Sequence, residues 1–354
     1  MRMSQAFAVA GADVTLFAAP GEEHTADPFA AYGVARNFAL RFVPRVLNPW
    51  PALWTSLYSV FAARQAGTDL LYTRSIYTVT LAWLLGIPVV PELHAKLGAH
   101  AGIKKALIRR ALHRGVVRGI VVISEPLRMY YARVLGLAPG QVLVAPDGAD
   151  PVSESLAPKP LRNGERLSVG YVGQLFPGRG IELINELAVR LPTFDFHVVG
   201  GFDEDVAAWR GRTAAQGNLT FHGFVPAAET PAYLKAFDVA LAPYQERVTI
   251  LGQGDSSEWM SPMKLFEYMA AGSAIVASDL PAIRTVLRDE ETALRCPPDD
   301  AGAWATALTR LDADPSLRKR LGANARSDLD HHYTWSRRAA DILSWLDRRA
   351  GAAW

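Results

Sequence analysis

The feature that most limits what this chain can fold into is a regular alternation. Short runs rich in Val, Ile and Leu, at 14–17, 70–72, 89–92, 116–123, 142–145, 168–172, 194–199, 219–221, 239–242 and 274–277, are separated by longer segments with helical spacing. Strand–helix–strand alternation calls for parallel sheets covered by helices on both faces, the doubly wound α/β class. At 354 residues the chain has length for about two domains of ordinary size. The pattern weakens over 147–166, a stretch rich in Pro, Gly and Ser, so the expected division is 1–150 and 151–335. A final helix over 336–354 is expected to pack back on the first domain. Two such domains would face each other across a cleft at the carboxyl ends of their strands, where doubly wound folds bind ligands. The opening is unusual: 4–10 reads as a helix ended by Gly11, ahead of the strand at 14–17, so the first strand and its glycine loop are missing from the expected pattern.

Composition narrows the function classes. The single cysteine, Cys296, excludes an intrachain disulfide and a Cys-x-x-Cys centre, and fits a reducing, cytoplasmic compartment. Charged residues interrupt every apolar run before the roughly 18 residues a membrane span needs. The net charge of +2 is uneven: residues 1–160 carry 16 Lys/Arg against 10 Asp/Glu, and residues 161–354 carry 21 against 25.

Two segments carry chemistry. In SPMKLFEYMAAGSAIVASDLP, 261–281, Ser261 is the expected N-cap, Pro262 the first helical residue and Gly272 the stop. Such a start aims free N–H groups outward, with Lys264 in the first turn, a position where a cation is unfavourable unless an anion offsets it. Glu267, one turn on, could accept hydrogen bonds from a sugar diol. In GYVGQLFPGRG, 170–180, glycines shape a loop after a strand, and Arg179 can pair with phosphate oxygens. The spacing is neither that of a dinucleotide fingerprint nor that of a P-loop.

Together these pieces resemble the nucleotide-sugar glycosyltransferases of family 4, with the GT-B fold of two Rossmann-like domains. The resemblance runs through 169–183, 196–201, 219–225, 233–244 and 261–287, and through 10–17, 69–75, 87–94, 121–128 and 144–150. It implies metal-independent transfer of a sugar, with retention, from a UDP- or GDP-sugar to a saccharide or lipid-linked acceptor of the cell envelope, with no cofactor. It assigns the ribose hydroxyls to Glu267, and the diphosphate and donor sugar to Arg179, Lys264 and the backbone at Pro262 and Met263. Gly173 and Gln174 fall in the glycine loop, and Gly223, Phe224 and Val225 where the base is framed. His94, closing IPVVPELH, falls near the reacting sugar, whereas Glu92 reads as a loop-fixing carboxylate. The resemblance departs at Trp259, where a second carboxylate is expected, and at Gln174, which replaces a basic residue.

Other candidates have plainer readings. Asp203 and Asp205 suit a solvated helix N-terminus better than a metal motif, and His331 and His332 lack partners for one. Lys96 to Arg133 holds nine Lys/Arg against one acid, and a helix from Ile103 would set Lys105, Arg109, Arg110, His113 and Arg114 on one side. That face, within 103–118, suits peripheral contact with an anionic inner membrane surface, aided by the aromatic stretch 48–61. No recognition motif supports nucleic acid as a partner. An epimerase of the same fold and a non-catalytic binding protein are the alternatives left open.

Overall fold

The computed structural model describes residues 1–19, 27–45, 50–98, 101–161, 166–250 and 254–350. Contacts divide the chain into two compact units: residues 1–146, 259–261 and 335–354, and residues 147–258 and 262–334.

The first unit runs α1 (Arg2–Val9), β1 (Thr15–Ala18), α2 (Pro28–Tyr32), β2 (Ala39–Phe42), α3 (Pro51–Gln65), β3 (Leu71–Thr73), α4 (Ile76–Leu85), β4 (Val89–Leu93), α5 (Ala101–His113), β5 (Ile120–Val122), α6 (Glu125–Leu135) and β6 (Val142–Val144). Strands β3-β4-β5-β6 form a parallel sheet, and β1 and β2 pair separately, also in parallel. Side chains of successive strand residues point to opposite faces. Val89 and Val122 therefore join Ile108, Leu127 and Tyr131 on one face, while Val90 and Val121 join Ile342 and Trp345 on the other. The last two belong to the final helix. Gly119 is required there: with φ +153, a Cβ on it would lie 2.2 Å from the Trp345 ring.

The second unit runs β7 (Ser168–Val172), α7 (Ile181–Arg190), β8 (Asp195–Val199), α8 (Asp203–Arg212), β9 (Leu219–Gly223), α9 (Thr230–Leu234), β10 (Val239–Ala242), β11 (Thr249–Ile250), β12 (Gly254–Asp255), α10 (Met263–Ala271), β13 (Ala274–Ser278), α11 (Pro281–Arg284), β14 (Leu294–Cys296), α12 (Ala301–Ala313) and α13 (Pro315–Asp328). The chain then closes with α14 (Trp335–Ala350), in the first unit. Six parallel strands take the order β14-β13-β10-β7-β8-β9. Strand order reverses between β7 and β10, and a crevice forms at such a switch point. The linker is held along this unit: Lys235 donates to the carbonyls of Ser153 and Glu154, and Arg326 to that of Val152.

Several expected boundaries move. The run at 116–123 pairs as a strand only over Ile120–Val122, because Val117 makes a lone bridge to Val89. Strands β2 and β14 were not expected, since Arg41 and Arg295 break their apolar runs. Among the described residues no helix is long and apolar enough to cross a membrane.

Candidate functional site

The chemistry of the second unit gathers at the carboxyl ends of β7 and β10. Tyr268 of α10 ties these strands together: its hydroxyl donates to the Leu241 carbonyl at 3.0 Å and accepts from the Val172 amide at 3.0 Å. The loop after β7 lies directly on the segment after β10. A Cβ on Gly180 would meet the Pro243 carbonyl oxygen at 1.9 Å, and one on Gly178 the Arg247 carbonyl oxygen at 2.0 Å. Glycines are thus required by close backbone approach as well as by their positive φ.

Helix α10 opens at this place, one residue later than expected. Pro262, not Ser261, is the N-cap, and it makes no side-chain capping bond, because a proline ring carries no acceptor. The amides of the first turn, Met263 and Lys264, keep the partial positive charge of an uncapped helix start.

Lys264 is 7% exposed, and its Nζ has no hydrogen-bond partner among the described residues. It lies 3.7 Å from the centroid of the Tyr171 ring and 4.7 Å from that of Tyr244. Burial above all, then the charge of Arg179, pulls its pKa well below that of an ordinary lysine, and Glu267 opposes this without offsetting it. The Arg179 guanidinium sits over Tyr244, 5.4 Å from the ring centroid, and donates to its hydroxyl at 3.3 Å, while its Nε is buried without a partner. Burial pushes the Tyr244 hydroxyl up to about 12 despite Arg179. Buried basic side chains whose donors are unmet among the described residues, beside an uncapped helix start, make a setting that suits an anion.

The structure brings the other expected residues to the same row of strand ends. Gly173, with φ +149, donates to the Val199 carbonyl, and a Cβ there would stand 3.1 Å from Lys264 Nζ. Gln174 carries a buried Oε1 with no partner. Gly200 donates to the Gly223 carbonyl at 2.7 Å, linking the ends of β8 and β9. Beyond Gly223, Phe224 is exposed and Val225 half-buried; Met263 is exposed and Glu267 half-buried. The tyrosine cradle of Tyr171, Tyr244 and Tyr268 had no sequence signal beyond strand and helix periodicity.

In the first unit, His94 follows β4 and its Nε2 bonds Glu92 Oε1. Glu92 is not a loop-fixing group, as the sequence suggested, but the buried centre of an ion cluster. Arg74 reaches its Oε1 at 2.9 Å and Arg338 of α14 at 3.3 Å. Burial pushes the carboxyl pKa up, yet the bond to His94 and the charges of Arg338 and Arg74 outweigh it and hold the group ionised well below the usual range. Trp259, in the place of the expected carboxylate, also belongs to this unit: Lys96 Nζ lies 4.4 Å over its ring and Ser124 Oγ donates to its carbonyl.

The remaining candidates stay peripheral. Asp203 and Asp205 sit in the first turn of α8, and His331, in the π-helical segment Leu329–Tyr333 after α13, donates from Nδ1 to the Ser327 carbonyl at 2.7 Å. The basic helix α5 is partly committed to the fold: Arg109 donates to the Leu135 carbonyl, and Arg114 covers the Trp83 ring.

The model of glycosyltransferase family 4 matches residues 1–153, and that of the group 1 glycosyl transferases matches 166–314. Phosphatidyl-myo-inositol mannosyltransferase of Mycolicibacterium smegmatis is 32% identical over 253 residues, 69% of this chain and 61% of that protein. The chain therefore spans about three fifths of that relative's length. The 2-deoxystreptamine glucosyltransferase of Streptomyces kanamyceticus is 26% identical, covering 78% of this chain and 73% of its own. Among solved structures, a glycosyltransferase from Rickettsia africae superposes with a TM-score of 0.76 at 12% identity, over 99% of this chain and 94% of that one. The Anabaena HepE protein in complex with UDP and glucose gives 0.67 at 16% identity, over 98% and 94%. The shared architecture is GT-B.

Proposed function

Because the chain belongs to the group 1 glycosyltransferases of family 4, we propose that it is an enzyme that moves a sugar from a UDP- or GDP-sugar to a saccharide or lipid-linked acceptor of the cell envelope, with retention and without a metal or cofactor. The observation that carries this reading is Lys264: a buried cation without a hydrogen-bond partner, beside Arg179 and the uncapped start of α10. A diphosphate leaving group supplies the charge that this arrangement lacks, and fixed cations and N–H dipoles stabilise the charge that develops as the glycosidic bond breaks. Glu267 binds the ribose hydroxyls, the backbone at Pro262 and Met263 meets the diphosphate and sugar, Gly173 and Gln174 line the phosphates, and Gly223, Phe224 and Val225 frame the base. His94 serves the reacting sugar from the first unit.

Two relatives support the substrate class, one named for mannosyl and one for glucosyl transfer, and HepE is in complex with UDP and glucose. The protein works in the cytoplasm, touching the inner membrane surface through 103–118. There Ile103 is 63% exposed, and Phe61, Leu84 and Leu85 of α3 and α4 are exposed as well. Vesicle flotation with and without anionic lipid tests the contact. Incubation with UDP- and GDP-sugars in EDTA, with product analysis, tests the reaction; hydrolysis or epimerisation without transfer to any acceptor would contradict it.

A further inference from the structure

The first unit contains a second arrangement that the donor grip does not use. Glu92 and His94 stand two apart around the end of β4, where alternate residues share a face. Glu92 is 1% exposed, His94 is half-buried, and the two side chains are hydrogen-bonded through Nε2 and Oε1. An ionised carboxylate only accepts, so the hydrogen of that bond is carried by Nε2. A flip of the ring would put Cε1 against the carboxylate and lose the bond.

The carboxylate is itself held. Arg338, 4% exposed, reaches Glu92 with both terminal nitrogens, and its Nε donates to the carbonyls of Ala145 at 3.2 Å and Pro146 at 2.8 Å. Arg74 approaches from the end of β3. Glu92 is thereby fixed from three elements, and one of them, α14, lies 246 residues away in sequence. A carboxylate held on several sides fixes the position of the imidazole bonded to it.

We infer that Glu92 is a positioning residue, anchored by Arg338, that fixes His94 as its Nε2–H tautomer and presents Nδ1 as a hydrogen-bond acceptor for a hydroxyl of a sugar or polyol substrate. This deepens the proposed function and rests on its placement of His94 beside the reacting sugar. It assigns recognition of the hydroxyl to one atom: with the Nε2 hydrogen committed to Glu92, His94 receives a hydrogen bond at Nδ1 and donates none to substrate.

The test reads the tautomer directly. Long-range proton–nitrogen correlation spectra of protein labelled at its histidines, recorded without substrate at pH 8, identify His94 by the signal lost in His94→Gln. The expected result is a protonated Nε2 and an unprotonated Nδ1. A protonated Nδ1 would overturn the inference whatever the enzyme's reaction is. In Glu92→Gln, checked by its melting curve, kcat is expected to fall about tenfold with donor KM changed less than twofold. Arg338→Lys, which keeps the buried charge, should retain more activity than Glu92→Gln. An unchanged kcat in folded Glu92→Gln would also overturn it. Absence of any transfer by the wild-type protein, with the Nε2–H tautomer present, would refute the proposed reaction and leave the positioning intact.

Discussion

Lys264 Nζ lies 3.7 Å from the centre of the Tyr171 ring and has no hydrogen-bond partner among the described residues. The ring faces of Tyr171 and Tyr244 attract a cation, an effect of about 0.5–2 kcal/mol each in partly desolvated settings. Burial outweighs them and lowers the amine's pKa. An amine in this condition is a cost to the ligand-free protein that a bound anion would relieve.

Diphosphate binding should therefore be coupled to protonation. The lowered pKa of free Lys264 returns toward the ordinary lysine range when phosphate oxygens surround it. Calorimetry of UDP binding in buffers of different ionisation enthalpy is expected to show net proton uptake near the free amine's pKa. The same reasoning gives Lys264→Met a melting temperature at or above that of the wild type, together with loss of donor binding. A lower melting temperature would show that the amine supports the fold.

Gly173→Ala probes the same pocket from the backbone. With φ +149 the new side chain is strained, by about 1–3 kcal/mol on general grounds, and it would crowd the Tyr171 hydroxyl at 3.0 Å and Lys264 Nζ at 3.1 Å. Donor affinity is expected to fall at least tenfold in protein that remains folded. Unchanged affinity would place the donor elsewhere.

Acid should weaken the second unit through His197 and His222, whose Nδ1 and Nε2 are 3.2 Å apart. Burial, then His197, Arg210 and Lys159, lowers the His222 pKa to about 4, and burial lowers that of His197 against the pull of Asp195. Both are neutral in the fold and gain protons on unfolding. Their contribution is complete above the unfolded value near 6.5 and is lost as pH falls from there toward 4. His222→Gln should flatten the decline of melting temperature across that window; an identical pH profile would remove the pair from the account.

Arg338→Met leaves Glu92 buried with fewer partners. Breaking a buried pair from one side costs about 3 kcal/mol, moderated here by Arg74 and His94. Urea unfolding should show a clear loss of stability, and a change within about 0.5 kcal/mol, typical of surface substitutions, would mean that α14 is not anchored by this residue.

Most strands of the four- and six-stranded sheets were legible because Val- and Ile-rich runs buried on two faces look alike wherever they occur, as at 89–92 and 168–172, whereas β14, with Arg295 in its run, was not. That Lys264 and Arg179 lie together was legible, because their charges are out of place next to a helix start and a glycine loop. The start of α10 was misread by one residue because Ser261 and Pro262 each suit a helix opening. The tyrosine cradle was hidden, since Tyr171 and Tyr268 follow the same periodicity as core residues. Glu92 was undervalued because Arg338 is remote in sequence and only folding brings it there. Within the basic stretch, Arg109 and, just past α5, Arg114 also make contacts inside the fold that the sequence did not show, because Leu135 and Trp83 are brought to them only by folding.

The central claim is that the second unit grips a nucleoside diphosphate with Lys264 and Arg179. Titration calorimetry of UDP and GDP in EDTA, on the wild-type protein and on the double variant Arg179→Met, Lys264→Met, tests it most directly. The expected result is saturable binding of one nucleotide by the wild type and at least a hundredfold weaker binding by a folded double variant. Equal binding by both proteins would contradict it.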